Sequence, residues 1–492
     1  MNSAMIRYIL GNVIKLEGLF LLLPSVISLI YQEKEGGVYL VLALVCVVLG
    51  MLLTRKKPEN TVFYLKEGCI ATSLSWIVLS LLGCIPFMVT GEIPSFTDAM
   101  FETMSGFTTT GASILSDVEA LSHTSLFWRS FTHWIGGMGI LVFLLAVVPM
   151  GGGSHMNLMR AESPGPSVGK LVPKMRHTAR ILYLIYLGLT VLELVALLIA
   201  QMPWFDAVCI AVGTAGTGGF GVLNTSIAGY SVAVQWIITI FMILFGINFN
   251  AYYLILFGEV KKAFKMEEVR AFLLIILAAV TVITIDIFSA CTNLFDAITQ
   301  SAFQVASIIS STGFATVDFD QWPTLSKTVI VILIFVGACA GSTGGGMKVS
   351  RFVLQAKAIK NELHSYLHPK SVRQITMDGK DVEPGVIRSV SVYMVTFFAI
   401  FVVSLVLISL DGKDVATTFT SVATTMNNIG PGLAGVGPTQ NFGHFSDLSK
   451  WVFIFDMLAG RLELFPLLIL FYPSIWQDML THRLRKSRKN KV

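Results

Sequence analysis

Charged residues are scarce in this sequence. Asp, Glu, Lys and Arg together make up 13% of its 492 residues, about half of the roughly 25% that soluble proteins carry. Apolar residues make up 54%, and the mean hydropathy is +0.73. A chain with so few polar residues cannot expose its whole surface to water. The composition therefore excludes a set of soluble domains and indicates an integral membrane protein.

Cysteine is also rare, and its pattern argues against two kinds of site. The six cysteines show no CxxC spacing and lie mostly in apolar runs, which favours neither a disulfide framework nor a zinc site. The eight histidines are scattered and predict no metal cluster. The sequence contains no HExxH, GxSxG or usefully spaced carboxylate pair, so we predict that the chain is not an intramembrane enzyme.

Apolar runs of the length that crosses a hydrocarbon core, about 20 residues, recur along the chain. We predict ten spans, at 6–30, 38–53, 68–90, 124–149, 179–202, 232–257, 271–291, 325–353, 388–410 and 449–475. The second run is short, and its ends are the least certain.

Basic clusters fall in alternate loops, whereas the opposite loops are mainly acidic. The clusters lie at 55–57, 160–180, 261–270, 357–373 and in the C-terminal tail. The positive-inside rule therefore predicts that both termini are cytoplasmic. This topology accounts for the net charge of +5, so we read the tail as a solvated segment facing membrane lipids and predict no nucleic-acid partner.

One type of segment recurs four times. The copies are DAMFETMSGFTTTGA at 98–112, DAVCIAVGTAGTGGF at 206–220, QSAFQVASIISSTGF at 300–314 and TTFTSVATTMNNIGP at 417–431. In each, an amphipathic stretch leads to a glycine, and the aligned glycines are Gly111, Gly219, Gly313 and Gly430. Ordinary extracellular loops would explain one such segment, but not four that each lie between two spans.

The repeat predicts the fold class. We expect an all-α membrane protein in which two leading TM helices precede four pseudo-symmetric repeats of TM helix, pore helix and TM helix around a central ion pore. The leading pair would occupy 1–60. The repeats would occupy 61–178, 179–268, 269–380 and 381–492.

The segment ends are candidates for an ion site. Irregular backbone at membrane depth must be buried in protein or face water, and a ring of backbone carbonyls can replace the hydration shell of an ion. The candidates are Thr109, Thr110, Gly111, Thr217, Gly218, Gly219, Ser311, Thr312, Gly313, Asn428, Ile429 and Gly430. Glycine can adopt positive φ, and the hydroxyls can add ligands or tie down the loop. Oxygen ligands without a carboxylate cage suit a monovalent cation.

The segment GACAGSTGGGMKVSR at 337–351 interrupts the eighth predicted span. It misses the Walker pattern because Met347 stands where lysine is required, and it does not follow a strand. Glycine is a poor helix former, so we expect a broken helix whose loop narrows the path below the ring. A close-packed glycine patch is the alternative. The gate candidates are Gly341, Ser342, Thr343, Gly344, Gly345, Gly346 and Lys348, although Lys348 can instead extend to the interface.

Arg461 is predicted near the middle of the last span, at 449–475. An arginine at membrane depth usually faces a cavity or a partner. If it faces the pore, its charge repels cations and makes it a gate candidate. The alternative is an ion pair with Asp456 or Glu463 that fixes helix packing.

These residues resemble those of the Trk/Ktr/HKT superfamily of potassium transporters, and within it the membrane subunit of bacterial Trk systems, of TrkH/TrkG type. The likeness covers essentially the whole chain. It is carried by SGFTTTGA (105–112), HWIGGMGI (133–140), RAESPGP (160–166), SSTGF (310–314), GACAGSTGGGMKV (337–349), NNIGPGL (427–433) and GRLELF (460–465).

The resemblance implies potassium uptake across the bacterial inner membrane. It implies a homodimer with one pore per protomer, a cytosolic NAD- and nucleotide-binding regulatory subunit of TrkA type, and no cofactor on this chain beyond K⁺ as the bound and transported ion. By position, the four glycines match the filter glycines, 337–348 the intramembrane gating loop, and Arg461 the pore arginine. Gly111 resembles the potassium-selective pattern, whereas GTGGF and IGP depart from TGF.

We therefore expect a gated pore that passes K⁺ down its gradient. The alternative is a secondary transporter that couples K⁺ to H⁺ or Na⁺ through discontinuous helices. No obvious relay of paired Asp, Glu and His appears in the predicted spans, which argues modestly against coupling.

Overall fold

The structure is a computed structural model that describes residues 2–58, 64–139, 175–371 and 373–473. It confirms the predicted all-α membrane class. The leading helices are α1 (Ser3–Phe20), α2 (Leu22–Tyr31) and α3 (Gly36–Thr54). The helices of the first two repeats are α4 (Leu65–Gly83), α5 (Ile85–Thr90), α6 (Phe96–Phe107), α7 (His123–Gly137), α8 (Met175–Ile199), α9 (Trp204–Gly216), α10 (Val232–Gly246), α11 (Phe249–Leu256) and α12 (Val260–Lys265).

The remaining helices belong to the third and fourth repeats. They are α13 (Glu267–Ile287), α14 (Leu294–Ile309), α15 (Thr324–Val336), α16 (Val349–Leu367), α17 (Pro384–Ile408), α18 (Val415–Met426), α19 (Asp447–Arg461) and α20 (Phe465–Leu468). Short 3₁₀ turns lie at Phe288–Ala290, Phe319–Gln321, Ser409–Asp411, Ala434–Val436 and Ile469–Phe471. The motif at 160–166 and the basic tail lie outside the described residues.

Six helical segments of the described chain are long and apolar enough to cross a membrane. They are Ser3–Tyr31, Gly36–Thr54, Leu65–Thr90, Ala179–Ile199, Glu267–Ala290 and Pro384–Asp411. These are the two leading helices and the first helix of each repeat. The second run, whose ends were uncertain, is a full 19-residue helix.

The second helix of every repeat is short. The helices α7, α10, α15 and α19 have 15, 15, 13 and 15 residues. A break was predicted only in the third repeat, but the helices within the predicted spans 232–257 and 449–475 are also interrupted. The pair α10 and α11 bends by 90°, and the chain after α19 passes through Glu463 and Leu464 at φ 60° and 63°. The end of the predicted span 124–149 lies outside the described residues.

A physical reason for the break after α10 lies in its tertiary contacts. The carbonyl oxygens of Phe245 and Gly246 accept hydrogen bonds from backbone N–H groups of Thr343 and Cys339, at 3.4 and 3.0 Å. These donors from the glycine-rich loop satisfy carbonyls that a continuing helix would otherwise satisfy.

The pore helices α6, α9, α14 and α18 lie between the two spanning helices of each repeat. Three of these helices, α6, α14 and α18, begin after a residue whose side chain accepts a hydrogen bond from a backbone N–H of the first turn. These residues are Ser95, Asn293 and Asp414. Such N-caps fix where a helix begins. The other ends of these helices, at Phe107, Gly216, Ile309 and Met426, are fully buried, so they terminate inside the protein.

The leading helices pack closely on each other and on the first repeat. An ideal Cβ on Gly18 of α1 would lie 2.8 Å from the carbonyl oxygen of Ala43, so only glycine allows this approach of α1 to α3. The hydroxyl of Tyr39 lies 2.9 Å from Oγ of Ser125 at the start of α7. The long apolar side chains of α3, α8, α13 and α17 are largely exposed, as expected for helices that face lipid.

A small β-hairpin, β1 (Thr376–Met377) and β2 (Lys380–Asp381), connects α16 to α17. Its turn residues Asp378 and Gly379 have φ of 54° and 74°, as a type I′ turn requires. Oδ1 of Asp378 accepts a hydrogen bond from the backbone N–H of Glu267 at 2.7 Å. The hairpin therefore caps α13, which the sequence analysis did not predict.

Candidate ion pathway

All four pore helices end in the same backbone conformation. A residue in the left-handed region lies two positions before the aligned glycine, and the glycine itself also has positive φ. The φ values of these pairs are 56° and 75° at Thr109 and Gly111, 53° and 79° at Thr217 and Gly219, 60° and 88° at Ser311 and Gly313, and 54° and 88° at Asn428 and Gly430.

The hydrogen bonds of these turns also repeat. The residue just before each glycine donates its N–H to the carbonyl five positions back, at 2.8–3.0 Å, in the pairs Thr110 to Ser105, Gly218 to Gly213, Thr312 to Ser307 and Ile429 to Thr424. This is the bond of a Schellman C-cap. Each pore helix is thereby closed, and the chain turns sharply at the glycine.

The first left-handed position was not predicted. Asn428 suits it, but Thr109 and Thr217 are β-branched, and an L-residue in this region costs roughly 1–2 kcal/mol. Such strain persists only where the surroundings determine the conformation. Thr109 and Thr217 are fully buried, so packing holds them there.

The four glycines form a closed ring. An ideal Cβ on Gly111 would lie 2.0 Å from the carbonyl oxygen of Gly218, and one on Gly219 would lie 2.0 Å from that of Thr312. A Cβ on Gly313 would lie 2.1 Å from the oxygen of Ile429. On Gly430 the Cβ would lie 2.8 Å from the oxygen of Thr110, so the fourth repeat returns to the first.

Two consequences follow from this ring. The structure brings the four predicted segments together at one place, with main-chain oxygens of successive repeats side by side. Each aligned glycine also lacks space for a side chain, because the nearest atom is the backbone of the next repeat. Backbone oxygens in this arrangement can replace the hydration shell of a dehydrated cation.

The hydroxyls of the segments have two different orientations. The hydroxyl of Thr312 lies 2.6 Å from that of Ser310 and ties down its own turn. The hydroxyl of Thr110 lies 2.8 Å from that of Thr108 and also accepts a hydrogen bond from Nδ2 of Asn428, in the fourth segment, at 3.0 Å. Thr109 instead accepts a hydrogen bond from Arg461 at 3.3 Å, and Ser311 accepts one from the N–H of Gly345 at 2.6 Å. Thr109 and Ser311 therefore contact the two predicted gate elements, Arg461 and the glycine-rich loop.

The glycine-rich segment forms a loop between α15 and α16, as predicted. The four repeated segments, 98–112, 206–220, 300–314 and 417–431, are the proposed filter segments, and the loop packs against the ends of the third and fourth. A Cβ on Gly345 would lie 2.6 Å from Cβ of Asn428, and one on Gly344 would lie 2.8 Å from the carbonyl oxygen of Ser310. Positive φ occurs at Gly337, Gly341 and Gly346. The glycines thus serve both a broken helix and close packing, the two interpretations that the sequence left open.

The loop is also attached to the bend between α10 and α11. Besides the bonds to Phe245 and Gly246 described above, the N–H of Phe249 donates to the carbonyl oxygen of Gly341 at 3.0 Å. The hydroxyl of Thr343 donates to the oxygen of Phe245 at 3.2 Å, and that of Ser342 to Cys339 at 2.6 Å. The second repeat is therefore part of the loop's support.

Lys348 does not extend to the membrane interface. Its side chain is 1% exposed, its φ is 71°, and its Nζ atom donates to the carbonyl oxygen of Gly344. The alternative of an interfacial lysine was therefore wrong, because the loop itself supplies a buried acceptor.

Arg461 joins three repeats. It is the last residue of α19, at the break within the predicted span 449–475, and its side chain is partly buried. Besides Thr109, it donates to the carbonyl oxygen of Thr343 at 2.8 Å and to those of Gly136 and Gly137 at 2.5 and 2.7 Å. A single side chain therefore connects the loop, the first filter segment and the end of α7.

The two carboxylates proposed as alternative partners of Arg461 have other contacts. Asp456 accepts a hydrogen bond from Oγ of Ser404 at 2.7 Å. Glu463 pairs with Arg351, whose guanidinium also lies 3.7 Å from the ring centroid of Tyr393. The pair of Arg351 and Glu463 fastens the start of α16 to the break after α19.

His133 connects the first two filter segments, and the sequence analysis assigned it no role. Its Nδ1 atom lies 2.7 Å from the carbonyl oxygen of Gly106, and its Nε2 atom accepts the N–H of Phe220 at 3.2 Å. Because Nε2 accepts a backbone N–H, the ring is neutral with its proton on Nδ1. The motif HWIGGMGI was the available signal, but it does not reveal these partners.

A buried ion pair supports the same two segments. Nε of Arg129 lies 2.6 Å from Oε1 of Glu102, and the two side chains are 3% and 0% exposed. Glu102 also accepts the N–H of Ile114 at 3.0 Å, and Arg129 donates to the carbonyl oxygen of Gly221 at 3.1 Å. A glutamate within a pore helix was the signal that could have indicated this pair.

Two histidines do form a pair at i, i+4, which the sequence analysis overlooked. The rings of His364 and His368 lie 4.7 Å apart between centroids, at the end of α16. No group of three or more His, Cys, Asp or Glu side chains suited to a metal ion occurs within the described ranges.

Outside the spans, Glu33 holds the start of α7. It accepts hydrogen bonds from the backbone N–H groups of His123 and Thr124 at 2.8 and 2.9 Å. Burial favours the neutral acid, but the hydrogen bonds from Thr124 and His123 outweigh it, so the pKa of Glu33 lies below its usual value. This carboxylate joins the leading helices to the first repeat.

Comparisons with known proteins agree with this geometry. The family model TrkH, described as a cation transport protein, matches residues 39–483. The Trk system potassium uptake protein TrkH of Salmonella typhimurium is 35% identical over 488 residues, which is 97% of this chain and 100% of that protein. The corresponding TrkG of Escherichia coli K12 is 32% identical over 490 residues, with the same coverage.

A solved structure is similar over nearly the whole chain. The crystal structure of the potassium transporter TrkH from Vibrio parahaemolyticus matches with a TM-score of 0.86 and 33% identity, covering 97% of this chain and 100% of that one. The matched family is one of transport proteins rather than enzymes. The chain belongs to the TrkH family of cation transport proteins.

Proposed function

We propose that this protein takes up K⁺ across the bacterial inner membrane as the membrane subunit of a Trk-type potassium uptake system. Its relatives carry that name at 32–35% identity over almost their full length. The observation that carries the proposal is the closed ring of four glycines, in which backbone oxygens of all four repeats meet.

K⁺ would be bound at the ring as cargo. The proposed ligands are backbone oxygens of the twelve filter residues predicted from the sequence, three from each segment. Thr110 and Thr312 would contribute main-chain oxygens only, because their hydroxyls are already bonded to other side chains. The second and fourth segments carry Gly218 and Ile429 at this position, so the four repeats would not contribute equivalent side chains.

The proposed gate is the loop with Gly341, Ser342, Thr343, Gly344, Gly345, Gly346 and Lys348, together with Arg461. It lies against the filter segments of the third and fourth repeats. A fixed positive charge and a packed loop at one end of a cation path both oppose permeation. Opening would break two hydrogen bonds, the one between Gly345 of the loop and Ser311 and the one between Arg461 and Thr343.

The assembly follows from the same resemblance. We propose a homodimer with one pore per protomer, surrounded by membrane lipids and regulated by a cytosolic NAD- and nucleotide-binding subunit of TrkA type. The alternating charge of the loops supports cytoplasmic termini.

The repeat boundaries at 61–178, 179–268, 269–380 and 381–492 are supported by the four matching pore-helix ends. The helices α8 and α13 begin slightly before the boundaries of the second and third repeats.

Flux measurements in proteoliposomes test the proposal. With K⁺ as the permeant ion and both pH and Na⁺ equal across the membrane, we expect a reversal potential that follows the K⁺ gradient. Imposing a pH or Na⁺ gradient at equal K⁺ should leave the reversal potential at zero. A reversal potential that moves with either gradient would support coupled transport of K⁺ with H⁺ or Na⁺, the alternative, and contradict passive permeation.

A further inference from the structure

Glu268 contacts both ends of the intramembrane loop. It is the second residue of α13, and its side chain is 3% exposed. Its Oε1 atom accepts the N–H of Ala340 at 2.5 Å and the N–H of Ser350 at 3.2 Å. One carboxylate oxygen therefore holds together two backbone positions that flank the gate residues.

The other oxygen of Glu268 contacts the second repeat. Oε2 accepts a hydrogen bond from Nδ2 of Asn248 at 3.3 Å, and Oδ1 of Asn248 accepts the N–H of Asn250 at 2.9 Å. Asn248 lies in the bend between α10 and α11 and caps α11. Because its oxygen is used by the cap, its amide nitrogen faces Glu268 and fixes the carboxylate.

From these contacts we infer that Glu268, oriented by Asn248, is a positioning residue that holds the intramembrane loop in its closed conformation. This inference rests on the proposed function, since it assigns a regulatory role to a residue of the same pathway. It extends the gate to the first helix of the third repeat and to the bend of the second.

The geometry explains why this contact opposes opening. Ala340 and Ser350 are ten positions apart, and a continuous helix would separate them by about 15 Å, at 1.5 Å per residue. A single oxygen atom cannot accept hydrogen bonds from both at that distance. The loop therefore cannot straighten into the helix that the flanking α15 and α16 would continue unless Glu268 releases at least one end.

The test uses an exchange of the two partners. Glu268→Ala removes both loop bonds, and we expect basal K⁺ flux to rise about tenfold, since two buried hydrogen bonds to the loop are lost at once. Glu268→Gln keeps one acceptor oxygen but places its NH₂ group against the amide of Asn248. Asn248→Asp places two carboxylates together. Each single change should raise flux about threefold, whereas Glu268→Gln with Asn248→Asp should return it to within about twofold of wild type.

The matched control is Glu267→Gln. Glu267 is the preceding residue of the same helix, but it bonds to the hairpin through the N–H of Asp378 and to Lys357 instead of the loop. We expect wild-type basal flux in this variant. The ratio of K⁺ to Na⁺ permeability should stay unchanged in all variants, because the ring itself is not altered, and this distinguishes a gating role from general disruption of the fold.

A second measurement does not depend on transport. Cys339 is fully buried in the loop, so its rate of modification by a water-soluble thiol reagent, followed by peptide mass spectrometry, reports release of the loop. We expect faster modification in Glu268→Ala and wild-type protection in the exchanged pair. If the wild type carries no K⁺ but these modification rates hold, the proposed function fails while the assigned role of Glu268 stands.

Two results would overturn the inference. One is wild-type flux and wild-type protection of Cys339 in Glu268→Ala. The other is an exchanged pair whose fold-changes in flux and modification rate equal the product of the two single fold-changes, since that would mean that Glu268 and Asn248 act independently. The double variant, Glu268→Gln with Asn248→Asp, tests the role of Glu268 even if Glu268→Ala does not fold.

Discussion

The N–H of Gly345 donates a hydrogen bond to Oγ of Ser311 at 2.6 Å, so the intramembrane loop is bonded directly to a filter segment. Ser311 lies in the left-handed region at φ 60°, two residues before Gly313. The same residue therefore shapes the third filter turn and holds the loop. Movement of the loop removes this hydrogen bond, whereas the N–H of Thr312 still closes the filter turn on the carbonyl oxygen of Ser307.

Gly345→Ala should open the pore. The added Cβ would lie 2.6 Å from Cβ of Asn428 and 2.9 Å from the carbonyl oxygen of Asn427. Overpacking of this kind costs roughly 1–3 kcal/mol, and the closed position of the loop bears that cost. We expect basal K⁺ flux in proteoliposomes to rise about tenfold.

The control for this prediction is Gly385→Ala. Gly385 lies at the start of α17, and no atom lies within 4 Å of its ideal Cβ. We expect wild-type flux there. If Gly345→Ala folds and also shows wild-type flux, then the close contact between loop and filter does not hold the pore closed.

Arg461→Ala should produce a leak. The substitution removes donors to Thr109, Thr343, Gly136 and Gly137 at once, as well as a positive charge in the proposed cation path. Arg461→Lys keeps the charge but lacks the planar fork that reaches several oxygens together. We expect basal K⁺ flux to rise at least about tenfold in the alanine variant and less in the lysine variant.

Single-channel recording separates the two contributions of Arg461. A gate that depends on charge gives a lysine variant close to wild type, whereas one that depends on the hydrogen bonds gives a lysine variant close to alanine. Absence of leak in the alanine variant would exclude Arg461 from the gate.

The sequence predicted the parts of the site that repeat. The glycine pattern placed Gly111 and its three counterparts in equivalent turns, because a positive φ at glycine leaves a direct signature in the sequence. The left-handed conformation of Thr109 left none, since a β-branched residue in that region runs against its own preference. Its conformation is determined by burial among neighbouring repeats.

The helix breaks show the same limit. The break in the third repeat was predicted because several glycines cluster there. The bend after Gly246 depends instead on donors from Cys339 and Thr343, which are distant in sequence. His133 was quoted within a motif, but the oxygen of Gly106 and the N–H of Phe220 become its partners only through the packing of α7 against α9.

Gly111→Ser should weaken selection of K⁺ over Na⁺. A Cβ at this position would lie 2.0 Å from the carbonyl oxygen of Gly218, so the serine must displace one oxygen of the ring. Its φ of 75° also strains any residue with a side chain. We expect the ratio of K⁺ to Na⁺ permeability to fall about tenfold, measured from reversal potentials under paired ion gradients.

Gly91→Ser is the matched control for this change. Gly91 also has positive φ, at 82°, but no atom lies within 4 Å of its ideal Cβ, so we expect wild-type selection. Unchanged discrimination against Na⁺ in a folded Gly111→Ser protein would mean that the ring does not select the ion.

Glu33→Gln should lower stability in a pH-dependent way. The carboxylate accepts backbone hydrogen bonds at the start of α7, together with the hydroxyl of Thr124 at 2.6 Å. The pKa of Glu33 is lowered in the folded protein, so the unfolded chain binds more protons at acid pH. The stabilisation is therefore present above the ordinary glutamate pKa of about 4.3 and is lost as pH falls through the lower folded value.

Thermal unfolding in detergent at pH 7 and at about pH 4 checks the sign of this effect. We expect Glu33→Gln to lower Tm by roughly 2–4 °C at pH 7 and by less at pH 4, where the wild type has begun to lose the same interaction. Glu35→Gln is the control, because the side chain of Glu35 makes no capping hydrogen bond at the start of α3. A Tm difference between Glu33→Gln and wild type that is equal at both pH values would show that charge on Glu33 does not stabilise the start of α7, and that the leading helices are held to the first repeat by packing and by Tyr39 instead.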